Sequence, residues 1–139
     1  MRRAALALVL AGVVLAGCGK VTTTSALAQW SHQSNFEQSV SILLDDARHA
    51  ANALRSTSSL NDLHTVCAVL LVDVQSANAA LPTPDAQTSQ LLSSAYTDLG
   101  AGANRCYSAD SVARRERALA DLTRGAGELV EGRARVRAT

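Results

Sequence analysis

Apolar residues along this chain recur at alternating steps of four and three, a period that lays them along one side of a helix. The clearest run is Leu63, Cys67, Leu70, Val74, Ala77 and Leu81. Val66, Val69 and Leu71 widen that stripe, so the segment from Leu60 to Ala80 reads as the most buried helix of the domain. Phe36, Val40, Leu43, Ala47, Ala50 and Leu54 repeat the spacing over a helix near 35–55. Ser34 and Glu37 fit a capping box at its start, and Ser59 and Asp62 fit another before Leu60. Leu81-Pro82-Thr83-Pro84-Asp85 breaks the pattern. Thr83 suits the next N-cap there, with Pro84 at the first helical position.

A third stripe follows as Leu92, Ala95, Leu99, Gly102 and Cys106, with Gly100 and Gly102 offering room for a neighbouring helix to approach. Tyr107-Ser108-Ala109-Asp110 is the next turn, capped by Ser108 or Asp110. The last stripe is looser: Val112, Leu119, Leu122, Ala126, Leu129 and Val136. Gly125, Gly127 and Gly132 predict fraying toward its end. No segment alternates at period two. Four segments of similar length joined by short turns predict an all-α, antiparallel up-down-up-down four-helix bundle over residues 34–139.

Composition narrows how such a bundle packs. Hydrophobic residues make up 47 % of the 139 but aromatics only 3 %, so the core is built from Leu, Val and Ala. That length suits one small domain.

The chain begins differently. Met1-Arg2-Arg3 is a basic head, Ala4 to Gly17 is an unbroken run of Ala, Leu, Val and Gly, and small residues precede Cys18. This is the layout of a secretory signal peptide over residues 1–17. A membrane span needs about 20 apolar residues, more than this run offers. Leu15-Ala16-Gly17-Cys18 resembles a bacterial lipobox. The resemblance implies cleavage before Cys18 and attachment of a diacylglycerol to its sulfur, with acyl chains such as palmitate. Two acyl chains anchor stably where one is marginal. Residues 18–33 then form the lipid anchor and a polar, Thr-rich tether, and Trp30 packs on the end of the bundle or sits at the membrane interface.

Charge offers little for nucleic acid. Removal of Arg2 and Arg3 with the leader changes a formal +1 into −1. The distribution is uneven, however. From Arg105 onward there are 8 Arg against 5 acidic residues, whereas Cys18 to Asn104 holds 3 basic against 7 acidic. Arg114-Arg115-Glu116-Arg117 with Arg124, Arg133, Arg135 and Arg137 reads as a salt-bridged solvent face, with anionic lipid or an acidic partner as the alternative.

With Cys18 lipidated, Cys67 and Cys106 remain, and two cysteines in an oxidising compartment usually pair. Both fall on apolar stripes. In an ideal hairpin turning at Pro82-Thr83, though, Cys67 faces a residue near Asp98, a mismatch of about eight residues or ~12 Å at helical rise. A disulfide needs Cα atoms within about 7 Å, so an extended Pro84–Gln87 segment or a tilted helix must absorb the difference.

No catalytic set emerges. His64 precedes Cys67 by one turn, but two ligands fall short of the four that structural zinc takes. His32 and His49 lack any Cys-x-x-Cys-His or Glu-x-x-His context. Asp45-Asp46 are adjacent and point apart on a helix, with Asp45 placed to reach His49. Gly100-Ala101-Gly102-Ala103 lies in a helical pattern with no strand before it, so it is not a phosphate loop. No metal and no cofactor is expected.

The chain as a whole resembles the small, uncharacterised helical lipoproteins of high-GC actinobacteria, through Leu63-His64-Thr65-Val66-Cys67, Leu81-Pro82-Thr83-Pro84-Asp85 and Asn104-Arg105-Cys106-Tyr107. That resemblance implies location and fold and carries no activity. The expectation is a non-enzymatic envelope lipoprotein at the outer face of the membrane, serving as a protein-interaction or accessory module. The alternative is a binder of a small apolar or lipid ligand in an Ala/Gly-lined space between helices. A packed interior favours the first, a hollow one the second.

Overall fold

The computed structural model describes residues 22–56 and 58–139, so the expected signal peptide at 1–17 and the lipidation residue Cys18 lie outside the described residues. Five helices follow in order: α1 Thr23–Gln33, α2 Phe36–Arg55, α3 Leu60–Asn78, α4 Ala86–Tyr107 and α5 Val112–Arg137. No strand occurs among the described residues. The all-α class is as expected, but the described residues form five helices, because most of the expected tether is helical. Thr22 caps α1 by accepting a hydrogen bond from the Ser25 amide at 3.2 Å.

The four long helices pack α2 on α3, α3 on α4, α4 on α5 and α5 back on α2. Their seams share one spacing. Phe36, Val40, Leu43, Ala47, Ala50 and Leu54 are all buried, as are Leu63, Cys67, Leu70, Val74 and Ala77. On α3 the stripe is narrower than expected, for Val69 is 49 % exposed. On α4, Thr88 and Tyr96 join the expected stripe in the core. On α5 the seam is Ala118, Leu122, Gly125, Leu129, Gly132 and Val136. Val112, expected there, is 73 % exposed.

The α5 glycines do not fray the helix, which continues to Arg137. They let α4 come close. A Cβ on Gly125 would stand 2.7 Å from the Leu99 amide nitrogen and 2.9 Å from the Ala95 carbonyl oxygen. Leu92 occupies the space above Gly132, and Leu122 occupies that above Gly102. Each small residue thus receives a leucine from the partner helix. Gly100, by contrast, has only ordinary contact with Val74, 3.7 Å from its would-be Cβ.

The register of α3 against α4 explains α1. Cys67 and Cys106 are disulfide-bonded with Cα atoms 5.9 Å apart. Helix α3 ends at Asn78, and the non-helical stretch Ala79–Asp85 carries the chain onward before α4 starts. The first turns of α4 therefore run past the end of α3, which absorbs the eight-residue mismatch and leaves one end of the core short of a helix. Helix α1 covers that end. Leu27 is 2 % exposed, the Trp30 ring lies 5.2 Å from that of Phe36, and Trp30 Nε1 donates to the Ala80 carbonyl at 2.9 Å. Trp30 is thus bound into the bundle end, its indole N–H satisfied as a buried one requires.

The caps differ from expectation in three places. Ser34 closes α1, its Oγ donating to the Trp30 carbonyl at 2.8 Å, and Asn35 at φ 50° turns the chain into α2. Asparagine tolerates this left-handed conformation better than most residues. Glu37 is consequently free to pair elsewhere. Asp85, not Thr83, caps α4, accepting from the Thr88 amide at 2.8 Å. Ser111 caps α5 in place of Ser108 or Asp110. The Ser59–Asp62 capping box is present as expected.

Candidate functional site

Helices α2 and α3 meet along a face that differs from the rest of the surface. Asp46 of α2 and Asp73 of α3 sit just outside the seam, each one residue before a core position, Ala47 and Val74. That placement brings their carboxyl groups together across the helix pair. Asp46 Oδ2 is buried and meets no hydrogen-bond partner. Desolvation, followed by the neighbouring Asp73 carboxyl, raises the Asp46 pKa to about 6. His49 opposes this rise and Asp45 adds to it. Asp45 itself pairs with Arg48 at 2.8 Å rather than with His49.

Around the carboxyl pair the face is aliphatic: Ile42 is 43 % exposed and Val72 60 % exposed, with half-exposed Val69 one turn earlier on α3. Among the described residues, neither Asp46 nor Asp73 makes an ion pair. The adjacency of Asp45 and Asp46 is not what matters. The partner of Asp46 comes from another helix 27 positions away, and only the α2/α3 register reveals it.

The arginines of α5 are mostly engaged. Glu37 takes Arg137 at 2.6 Å and Arg133 at 2.8 Å. Its hydrogen bond to Arg137, with those of Arg133, holds the carboxyl below its ordinary range, and the same bond raises Arg137. Hydrogen bonds from the Thr88 hydroxyl and amide lower the Asp85 pKa, and Arg135, 3.3 Å away, adds to that. Buried Asp121 binds both Arg105 and Arg124, and Arg124 reaches on to Asp98 at 3.2 Å, linking α4 to α5. Arg115 closes the far end of the bundle. It donates to the Ser56 carbonyl at 2.9 Å and the Ser58 carbonyl at 3.1 Å, satisfying acceptors beyond the C-terminus of α2. A salt-bridged face is what the alternating signs suggested. The buried position of Asp121 and the capping role of Arg115 were not legible from them.

Cys67 and Cys106 are both fully buried, and the rings of His64 and Tyr107 stack over this end at 4.1 Å and 11°. His64 is held by that stack, whereas His32 and His49 are exposed. Among the described residues, no three His, Cys, Asp or Glu side chains converge as metal ligands. The space expected to hold an apolar ligand is filled, since Leu92, Leu99 and Leu122 pack onto Gly132, Gly125 and Gly102. An open groove of about 530 Å³ lies at the α1 end, lined by His32, Asn35, Gln38 and Arg137 among others.

No helix among the described residues is long and apolar enough to cross a membrane. Comparison with known proteins found no matching family model, no matching curated protein and no matching solved structure.

Proposed function

We propose that this chain is a non-enzymatic cell-envelope lipoprotein whose helical body docks another envelope protein at the outer face of the membrane. The observation that carries the docking role is the α2/α3 face, where Ile42, Val69 and Val72 stand in solvent around the Asp46–Asp73 pair. Exposed aliphatic side chains grouped on one face mark interaction sites. The location rests on the sequence, through the leader and Leu15-Ala16-Gly17-Cys18. The Cys67–Cys106 bridge agrees with an oxidising compartment.

Helices α2 to α5 read as an up-down-up-down four-helix bundle with α1 laid across one end. Only Gly19–Val21 separates Cys18 from the first described residue, Thr22, a span of at most about 14 Å. A lipid on Cys18 therefore holds the α1 end toward the membrane and leaves the sides of the bundle accessible. The apolar-ligand alternative has less behind it, because leucines fill the glycine-lined space.

Mass spectrometry of the protein extracted from membranes tests the anchor. The expected mature chain starts at a diacylated Cys18, and Cys18→Ser remains uncleaved. A mature chain starting elsewhere without acyl mass contradicts the reading. For docking, Val72→Asp is expected to remove a crosslinked complex while changing stability by less than about 0.5 kcal/mol. An undiminished complex contradicts it.

A further inference from the structure

We infer that the turn between α4 and α5 forms a binding site for a tetrahedral oxyanion, a phosphate ester or a sulfate. Arg105 from the last turn of α4, Ser108 from the turn itself, and Arg114 and Arg117 from the start of α5 line a recess of about 190 Å³. Three of these four side chains are guanidinium groups, the fourth is a hydroxyl, and no carboxylate is among them. Arg114 and Arg117 are three residues apart and share one helix face. Guanidinium donors match oxyanion oxygens in pairs, which makes arginine the preferred residue for such ligands.

The counter-ions of this cluster lie to its sides. Asp121 holds Arg105 but divides its two oxygens between Arg105 and Arg124. Arg114 reaches Asp110 at 3.2 Å and the Ser108 carbonyl at 3.4 Å, both long for a charge-assisted bond. Arg117 makes no ion pair among the described residues. Four arginines here, 105, 114, 117 and 124, thus meet three carboxylates, 98, 110 and 121. The excess positive charge falls at the recess. At the other end of α5, Glu37 and Asp85 already occupy Arg133, Arg135 and Arg137.

Position decides between two sources of the anion. Arg114 and Arg135 are 21 residues apart on α5, about 30 Å along the axis. Thr23, Thr24 and Arg135 line one groove, so the chain leaves toward Cys18 at the end opposite the recess. Resting on the proposed anchor for this step alone, the recess faces away from the membrane that holds the protein, and its ligand is a free or polymer-borne anion rather than a headgroup of that membrane.

The test is a titration of the ¹⁵N-labelled full chain in detergent micelles with sodium phosphate, sodium sulfate and, at matched ionic strength, sodium chloride. Phosphate and sulfate are expected to shift the amides of residues 105–117 saturably, and chloride is not. Arg117→Gln should weaken binding about tenfold, the loss of one hydrogen bond between charged groups, and Arg117→Lys should retain part of it. Circular dichroism checks that each variant keeps its helices. An equal response to chloride, or an unchanged affinity in the Arg114→Gln, Arg117→Gln double variant, overturns the site. Arginine-dependent binding to phosphatidylglycerol vesicles at least as tight as to free phosphate overturns the choice of source. Cys18→Ser is expected to leave the titration unchanged, so failure here and failure of the anchor are read separately.

Discussion

The α4/α5 and α2/α3 pairs are built on the same four-three spacing, yet they finish differently at their edges. In α4/α5, glycines at 102, 125 and 132 admit leucines from the opposite helix, and Asp121 and Asp98 tie the flanking arginines together. In α2/α3, Asp46 and Asp73 make no ion pair among the described residues, and Ile42, Val69 and Val72 stay in water. The first pair turns most of its charged edge residues to holding itself together. The second leaves polar and apolar groups whose natural complement is another molecule. The same seam pattern therefore supports both a structural edge and a surface free for recognition, and the difference lies in the residues that flank the seam.

The disulfide joins these two halves through α3 and α4, so its loss is the largest expected perturbation. Cys67→Ala with Cys106→Ala frees a loop of 39 residues, and chain entropy predicts a loss of about 4 kcal/mol. Denaturant unfolding at pH 7 measures it. A loss under about 1 kcal/mol would mean that the two pairs are held together mainly by packing.

Next in size is the tight edge itself. Gly125→Ala places a methyl against backbone atoms of α4 and is expected to destabilise by about 3 kcal/mol. Gly127→Ala, with nothing within 4 Å of its new Cβ, is expected to stabilise by about 0.5–1 kcal/mol through helix propensity. Opposite signs at two glycines two residues apart, on opposite sides of α5, would sharpen the contrast, and equal signs would break it.

The acidic edge gives a smaller effect that depends on pH. The Asp46 pKa is raised from 3.8 to about 6 in the folded chain. The folded state therefore keeps a proton that the unfolded state has already released. The stability contributed by the pair is complete below the unfolded value and is lost as pH rises through about 6. The pair is partly exposed and solvent-screened, which keeps the loss on the order of 1 kcal/mol. Asp73→Asn removes the charge opposing Asp46, so thermal unfolding between pH 4 and 8 should show a flatter profile for the variant than for the parent. Parallel profiles would show that Asp73 does not raise the Asp46 pKa.

Much of this architecture was legible in the chain before any coordinates. The seams of α2 and α3 were, because Phe36 to Leu54 and Leu63 to Ala77 are apolar at every core position. The α5 seam was legible only at Leu122, Leu129 and Val136. Its core positions Ala118, Gly125 and Gly132 carry almost no hydrophobic signal, while exposed Val112 and half-buried Leu119 carry more. Close approach selects small residues, and hydrophobic periodicity cannot see them. Helix α1 was hidden for another reason. Its Thr- and Ser-rich start resembles a linker, and the vacancy it fills exists only because α3 ends one stretch before α4 begins. The Asp46–Asp73 pair was invisible because it depends on the register between two helices, which no local window contains.

The claim that the α2/α3 face is a docking surface is tested most directly by photo-crosslinking in intact membranes. A photoreactive residue is placed in turn at Val69, at Val72 and at Val130, which is 52 % exposed on α5. The account predicts one discrete crosslinked protein from positions 69 and 72, none from 130, and loss of the product when Ile42→Asp is added. Equal products from all three positions, or none from 69 and 72 with one from 130, would contradict it.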